Sequence, residues 1–451
     1  MLPRPLRAIW GDLTAQEVKK FGILASIFFL VIGVYWLLKT MKDPIFDLHV
    51  GFHYQPWAKI TSLIFVGLAV IFYSKLVDWF KKQTVFYIVC SFYGAGFIAL
   101  GYMLSNPQQI SAHQWSFIPG NVLGWASYIF IESFGSIMPA LFWAFVASNT
   151  TTDSAKRGYA MIATCTQVGT IIGPLLITTY GARFGLPVFF GVSGLLVFAV
   201  PMIISFYSRV VPEEQTQHPS PSSEKNGGTG FIEGLRLLMT RSYLMGVFAI
   251  ATLYEFIGTI LDFQKGMLIS SNYPSKVDGG AAFAWFKGLE GSAIGVVSLL
   301  FAMFGTSFFM RKFGLKFSLI SFPAIIGVTV TTVFTMYYLG ANPYQLMWVF
   351  FGAVVLIKGL NYALNNPSKE VLYIPTSKDV KFKTKGWIDA FGARLLKTFG
   401  AGVNNSLSTS LPTLLTLGTF LSLGVVGIWI FAASYVSGAF DTLQKENKIV
   451  K

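Results

Sequence analysis

Charge is what this chain has least of. Only 12% of its 451 residues are Asp, Glu, Lys or Arg, about half the share usual in soluble proteins. With 53% hydrophobic residues, the chain lacks the polar surface that independent soluble domains need. Cysteine is almost missing as well. Cys90 and Cys165 fall in separate apolar runs, which excludes a disulfide framework and any Cys-based metal spacing. No Gly-rich phosphate loop, zinc-protease motif or haem-attachment motif is present, so hydrolysis of a nucleotide on this chain is not expected. The chain reads as no enzyme, with no catalytic residue, cofactor or metal site.

What it has instead is apolar length. Runs of about 20 apolar residues, each enough to span a bilayer as a helix, recur from end to end. The 43 phenylalanines and 44 glycines suit lipid-facing surfaces and close helix contacts. Twelve spans are expected, near 21–41, 57–77, 84–104, 121–148, 158–180, 186–208, 240–264, 284–310, 315–339, 345–365, 386–409 and 412–437. The longest break, 210–232, is rich in Pro, Ser, Gly and charge and reads as a cytoplasmic linker. It separates a six-helix half at 1–209 from a second at 233–451, with Glu233–Arg241 as a short interfacial helix. SKLVDWFKK after the second span and MRKFGLK after the eighth are matching basic loops. The fold class is therefore all-α and polytopic, with two major-facilitator-like halves of six helices that rock about a midplane site.

The net charge of +14 does not point to nucleic acid, because the basic residues are dispersed over short loops. They concentrate in both termini and in alternate loops, which places both termini in the cytoplasm. No cleavable leader precedes the first run, which begins near Phe21 behind Lys19 and Lys20. The expected location is a bacterial inner membrane, the expected state a monomer, and the surrounding partner the lipid bilayer.

Charged residues inside the spans carry the functional signal. A cation within a span costs roughly 2.5–3.5 kcal/mol, so it normally faces a water-filled interior. Lys358 closes an apolar run, and Arg394 and Lys397, three apart on one helix face, lie deep within another. Lys358, Asn361, Tyr362 and Asn365 keep helical spacing and make one polar stripe. The competing reading is that these lysines snorkel to the surface; it suits Lys385 better than Lys397. Lys39 and Lys42 share a face at the end of the first span, where Asp43 and Pro44 end the helix; they line the site or anchor that end at the interface. Glu132 lies inside the fourth span and either pairs with a helix neighbour or takes up a proton. Glu255, Asp262 and Lys265 share a face of the seventh span. Lys156 and Arg157 read as topology determinants. Cations exceed anions in this set, which suits a polyanion such as a nucleotide and disfavours closing an empty site.

At these residues the sequence resembles the non-mitochondrial ATP/ADP translocase family, the nucleotide transporters of plastids and intracellular bacteria. EVKKFGILASIFF and LLKTMKDPI resemble the family opening, with Lys39 in the place of an Arg and Lys42 matching its Lys. VIFYSKLVDWFKKQTVFY is similar to the connection between the second and third helices. ESFGSIMPALFWAFVASNTTTDSAKRGYAMI resembles the Glu-Leu-Trp-Gly-Ser helix and the turn after it, and ILDFQKG the acidic-residue-then-Lys segment. NPSKEVLYIPTSKDVKFKTKGWIDAFGARLLKTFGA resembles the Pro-x-Lys-Glu-x-x-Tyr-Ile-Pro signature. The chain departs from the family at Phe134 for Trp, Asp262 for Glu, Gln264 for Trp and Lys265, displaced by one position. The resemblance implies that Lys42, Glu132, Asp262 and Lys397 are required for transport, and that the substrate is a nucleotide exchanged as ATP for ADP by alternating access. The remaining readings are a proton-coupled importer of the GTP, UTP or NAD class, and an anion channel or non-transporting derivative. Lys42, Lys358, Arg394 and Lys397 would hold phosphates in a cationic cavity and Asn361 and Asn365 the base, with Lys39, Glu132, Asp262 and Lys265 in gating and coupling.

Overall fold

The computed structural model describes residues 13–150, 152–211, 229–304, 306–446 and 448–450. These are almost wholly helical. Without water, a span must satisfy its backbone N–H and C=O groups internally, and a helix does so within one segment. The long helices are α1 (Ala15–His49), α2 (Gln55–Trp79), α3 (Lys82–Ser105), α4 (Val122–Ser148), α5 (Thr152–Phe184) and α6 (Leu186–Val210). They continue as α7 (Ser242–Asn272), α8 (Ala281–Phe304), α9 (Thr306–Tyr338), α10 (Pro343–Leu360), α11 (Ala393–Leu407) and α12 (Leu411–Lys445). Most of the linker expected at 210–232 lies outside the described residues. The short helix after it is Thr229–Thr240.

Among the described residues, 11 helices are long and apolar enough to cross a membrane. The exception is the expected eleventh span. There the chain is helical from Lys378–Trp387 through a π turn at Ile388–Gly392 into α11, which has only 15 residues. Its Arg394, Lys397, Asn404 and Asn405 dilute the apolar character that marks the other spans.

The chain forms two compact units. The first holds Met1–Pro219 together with Tyr273–Gly295, and the second holds Ser220–Asn272 with Val296–Lys451. The sequence reading places 273–295 in the second half, whereas here these residues pack in the first unit and α8 passes from one unit into the other at Gly295. In the first unit α1 packs on α4, α5 and α6, with α2 on α4 and α3 on α6. Glycines set the closest of these approaches. A Cβ on Gly169 of α5 would lie 2.8 Å from the Phe29 carbonyl oxygen of α1, so the two backbones touch. In the second unit α7 packs on α10, α11 and α12, and α9 on α12. The pairings α1 with α4, α5 and α6 thus recur six helices later, which is the structural form of the internal repeat.

Two local expectations are corrected. Asp43 and Pro44 do not end the first helix, because α1 runs on to His49. Pro44 removes one backbone bond, and a packed membrane helix tolerates that loss. The basic segment MRKFGLK is not an open loop throughout. α9 already begins at Thr306 and is interrupted at Gly314, whose φ of 76° favours glycine.

Candidate functional site

In the first unit the site is built where α1 meets α4. Lys42 is 7% exposed and forms an ion pair with Glu132 of α4, whose carboxylate keeps about a third of its surface. One turn earlier on α4, Tyr128 puts its ring 4.3 Å from the same ammonium. The i, i+4 spacing of Tyr128 and Glu132 brings both onto Lys42. A lone cation this deep would cost several kcal/mol, and the carboxylate with the aromatic face offsets that cost. Lys39, one turn away on α1, lies 4.1 Å from the Trp36 ring centre. Phe134 packs into an aromatic cluster with Tyr93 and Phe97, while Ser133 accepts a hydrogen bond from the Tyr93 hydroxyl at 3.0 Å. These rings leave the Glu132 carboxylate few directions other than Lys42.

In the second unit α7 carries the carboxylates. Asp262 accepts from Lys358 of α10 at 2.8 and 2.9 Å and from Lys265 at 3.1 Å. Lys265 is fully buried. Two turns earlier Glu255 pairs with Lys397 of α11 at 3.2 Å, and Lys397 keeps 53% of its side-chain surface. Arg394 is half-buried one turn before Lys397. The frame around these groups is tied by Gln264 donating to the Leu414 carbonyl at 2.8 Å and Asn404 donating to the Thr259 carbonyl at 3.0 Å.

Two π turns bracket the basic connector. In the first, Asn361–Asn365, the Asn366 N–H bonds back to the Asn361 carbonyl; in the second, Ile388–Gly392, the Ala393 N–H bonds to the Ile388 carbonyl. Such turns occur often at functional positions. The first breaks the polar stripe expected from spacing. Asn365 is buried, Asn361 is half-buried, and Asn365 donates to the Asn361 side chain at 2.7 Å.

With the geometry in view, the comparisons decide the family. The family model described as TLC ATP/ADP transporter matches residues 4–440. The chain belongs to that family. It is similar to ADP,ATP carrier protein 1 of Rickettsia typhi, at 25% identity covering 98% of this chain and 97% of that protein. It is similar also to ADP,ATP carrier protein 2, chloroplastic, of Arabidopsis thaliana, at 24% identity covering 97% of this chain and 79% of that protein. Among solved structures it resembles the nucleoside transporter NupG, with TM-score 0.63 and 13% identity over 93% of this chain and 99% of that one. A D-xylose–proton symporter matches with TM-score 0.60 and 14% identity over 90% of this chain and 97% of that one. At these identities the likeness is of fold. The protein is a multi-pass, all-α membrane protein of major-facilitator-like architecture.

Within this family member, the structure brings together Lys42 with Glu132, Lys358 and Lys265 with Asp262, and Lys397 with Glu255. Lys385 pairs with Glu370 and Lys383 with Glu233, so part of the basic connector is ion-paired. The side chains of Tyr362, Lys156 and Arg157 lie outside the described residues. Sequence reasoning missed Lys287 and Glu290 of α8. Lys287 forms an ion pair with Asp43 at 3.1 Å, and Glu290 is buried. The signal was available: two opposite charges three apart within an otherwise apolar run.

Proposed function

We propose that the protein is a nucleotide carrier that exchanges ATP for ADP by alternating access, with no hydrolysis. The observation that carries this reading is that Lys42, Lys358 and Lys397 are each held by a carboxylate, namely Glu132, Asp262 and Glu255. A phosphate oxygen makes the same charge-assisted bond to an ammonium as a carboxylate does. Binding can therefore replace one partner by another, with little net desolvation of the lysines. A protein without substrate returns its cations to the internal carboxylates, and one with substrate gives them to the phosphates.

In this proposal Lys42, Lys358, Arg394 and Lys397 bind phosphate, and Asn361 with its partner Asn365 reads the base. Lys39, Glu132, Asp262 and Lys265 serve gating and coupling. The protein acts as a monomer in a bacterial inner membrane with both termini in the cytoplasm. The relatives' names, ADP,ATP carrier proteins, support a nucleotide substrate. The ion pair at Glu132 favours a charged carboxylate over the proton-carrier reading.

The test is uptake of labelled ATP into proteoliposomes. Vesicles preloaded with ADP should take up ATP much faster than empty ones. Equal rates with and without internal ADP, together with dependence on an imposed pH gradient, would overturn exchange in favour of proton-coupled import. A labelled panel of ATP, GTP, UTP and NAD identifies the base.

A further inference from the structure

Lys42 and Asp43 are neighbours on α1 with different partners. Lys42 reaches Glu132 on α4, while Asp43 Oδ2 meets the ammonium of Lys287 on α8 at 3.1 Å. Successive helix residues point about 100° apart, so one turn of α1 holds a cation toward the proposed phosphate site and a carboxylate toward α8. We propose that Asp43 and Lys287 form a latch that transport must open, and that Lys42 works this latch from the adjacent residue. The link to Lys42 rests on its reading as a phosphate-binding cation.

Four observations carry this. First, Lys287 lies in 273–295, the segment that packs within the first unit although α8 continues into the second. Any change that frees this segment has to break its contacts with α1. Second, α1 aims two carboxylates at it, four residues apart. Besides the Asp43 pair, Ser275 donates to Asp47 Oδ2 at 2.6 Å, while Asp47 Oδ1 accepts from the Phe52 N–H at 2.9 Å. Third, the rest of the contact is built of small or neutral groups that can part without leaving a charge behind. Ser292 donates to the Ile171 carbonyl at 3.2 Å, and a Cβ on Gly291 would meet Pro174 at 2.9 Å, so α8 and α5 touch with no side chain between. Fourth, the pair is poised to open. Asp43 Oδ1 is buried without a hydrogen-bond partner among the described residues, although a carboxylate can accept about four bonds. Pro44 follows at once and removes the backbone bond that would otherwise stiffen α1 there.

The sequence of events follows. When a phosphate takes Lys42 from Glu132, α1 shifts at its weakened turn and carries Asp43 away from Lys287. When the nucleotide leaves, Lys42 returns to Glu132 and the latch closes. Asp43 and Lys287 are positioning residues in this scheme and do not touch the nucleotide.

The test follows the exposure of Ser275, which is buried beneath the latch. In a protein with Cys90→Ala and Cys165→Ser, Ser275→Cys is treated with a water-soluble maleimide in detergent. The resting protein should react slowly, and ATP should raise the rate by about tenfold. Asp43→Asn and Lys287→Gln should each give the fast rate without ATP. The charge swap Asp43→Lys with Lys287→Asp should restore slow labelling, which a merely damaged fold would not do. Ser292→Cys serves as the reporter where Ser275→Cys does not fold. Labelling unaffected by Asp43→Asn and Lys287→Gln would overturn the latch. Fast labelling in both variants with no response to ATP in the parent would keep the latch and overturn its link to Lys42. The uptake assay decides the nucleotide reading separately, so the two can fail independently.

Discussion

At Lys42 one ammonium is bound by a carboxylate and an aromatic face, and that choice of partners sets what a substitution does. Lys42→Ala removes a charge-assisted bond worth about 1.5–3 kcal/mol, so ATP binding should weaken about 10- to 100-fold. Equilibrium binding in detergent, alongside a melting curve, reads this; full-strength binding in folded Lys42→Ala would remove the residue from the site. Glu132→Gln acts in the opposite direction. It takes away the internal competitor for Lys42, so ATP should bind more tightly while exchange slows, because an empty site no longer neutralises itself. Weaker binding in Glu132→Gln would mean that Glu132 holds Lys42 in place and does not compete with phosphate. Sequence alone identified Lys42, Glu132, Asp262, Lys358 and Lys397 because charge in an apolar run is costly wherever it falls. It could not name the pairs, since Lys42 and Glu132 are 90 residues apart and their meeting depends on how α1 packs on α4.

Helix by helix, apolar periodicity was enough to locate the spans, and it failed where a helix departs from 3.6 residues per turn or ignores a local stop signal. Pro44 reads as a stop, yet α1 continues because neighbouring helices hold it. The stripe from Lys358 to Asn365 was drawn on an ideal helix, and the π turn at Asn361–Asn365 rotates everything after it. The second π turn, at Ile388–Gly392, sits directly before Arg394 and Lys397. These two turns let the faces bearing Lys358 and the Arg394–Lys397 pair be set independently of the connector. The glycine contacts give an element-scale prediction. A Cβ on Gly173 of α5 would lie 2.9 Å from the Leu37 nitrogen of α1, with the Gly33 carbonyl closer still. Gly173→Ala must push α1 and α5 apart, at a cost of about 1–3 kcal/mol. The expected result is a lower melting temperature in detergent, and an unchanged one would show that these helices yield without loss.

Over the whole molecule, composition and loop charge were sufficient to recognise a two-part helical membrane protein, because both follow from the medium. They could not assign 273–295, since the chain order that puts these residues after α7 says nothing of which unit they join. Exchange is a property at this scale too: preloading with ADP should accelerate ATP entry only if the empty carrier returns slowly. The repeated helix pairing has one more consequence. In the first unit the cation is on α1 and the carboxylate on α4, whereas in the second the carboxylate is on α7 and the cation on α10. Equivalent helices thus carry opposite signs. If the two halves descend from one duplicated ancestor, they have since become electrical complements, and neither can stand in for the other. A chain built from two first halves would have lysines at both pivots and lack Asp262, the carboxylate that here holds two lysines at once.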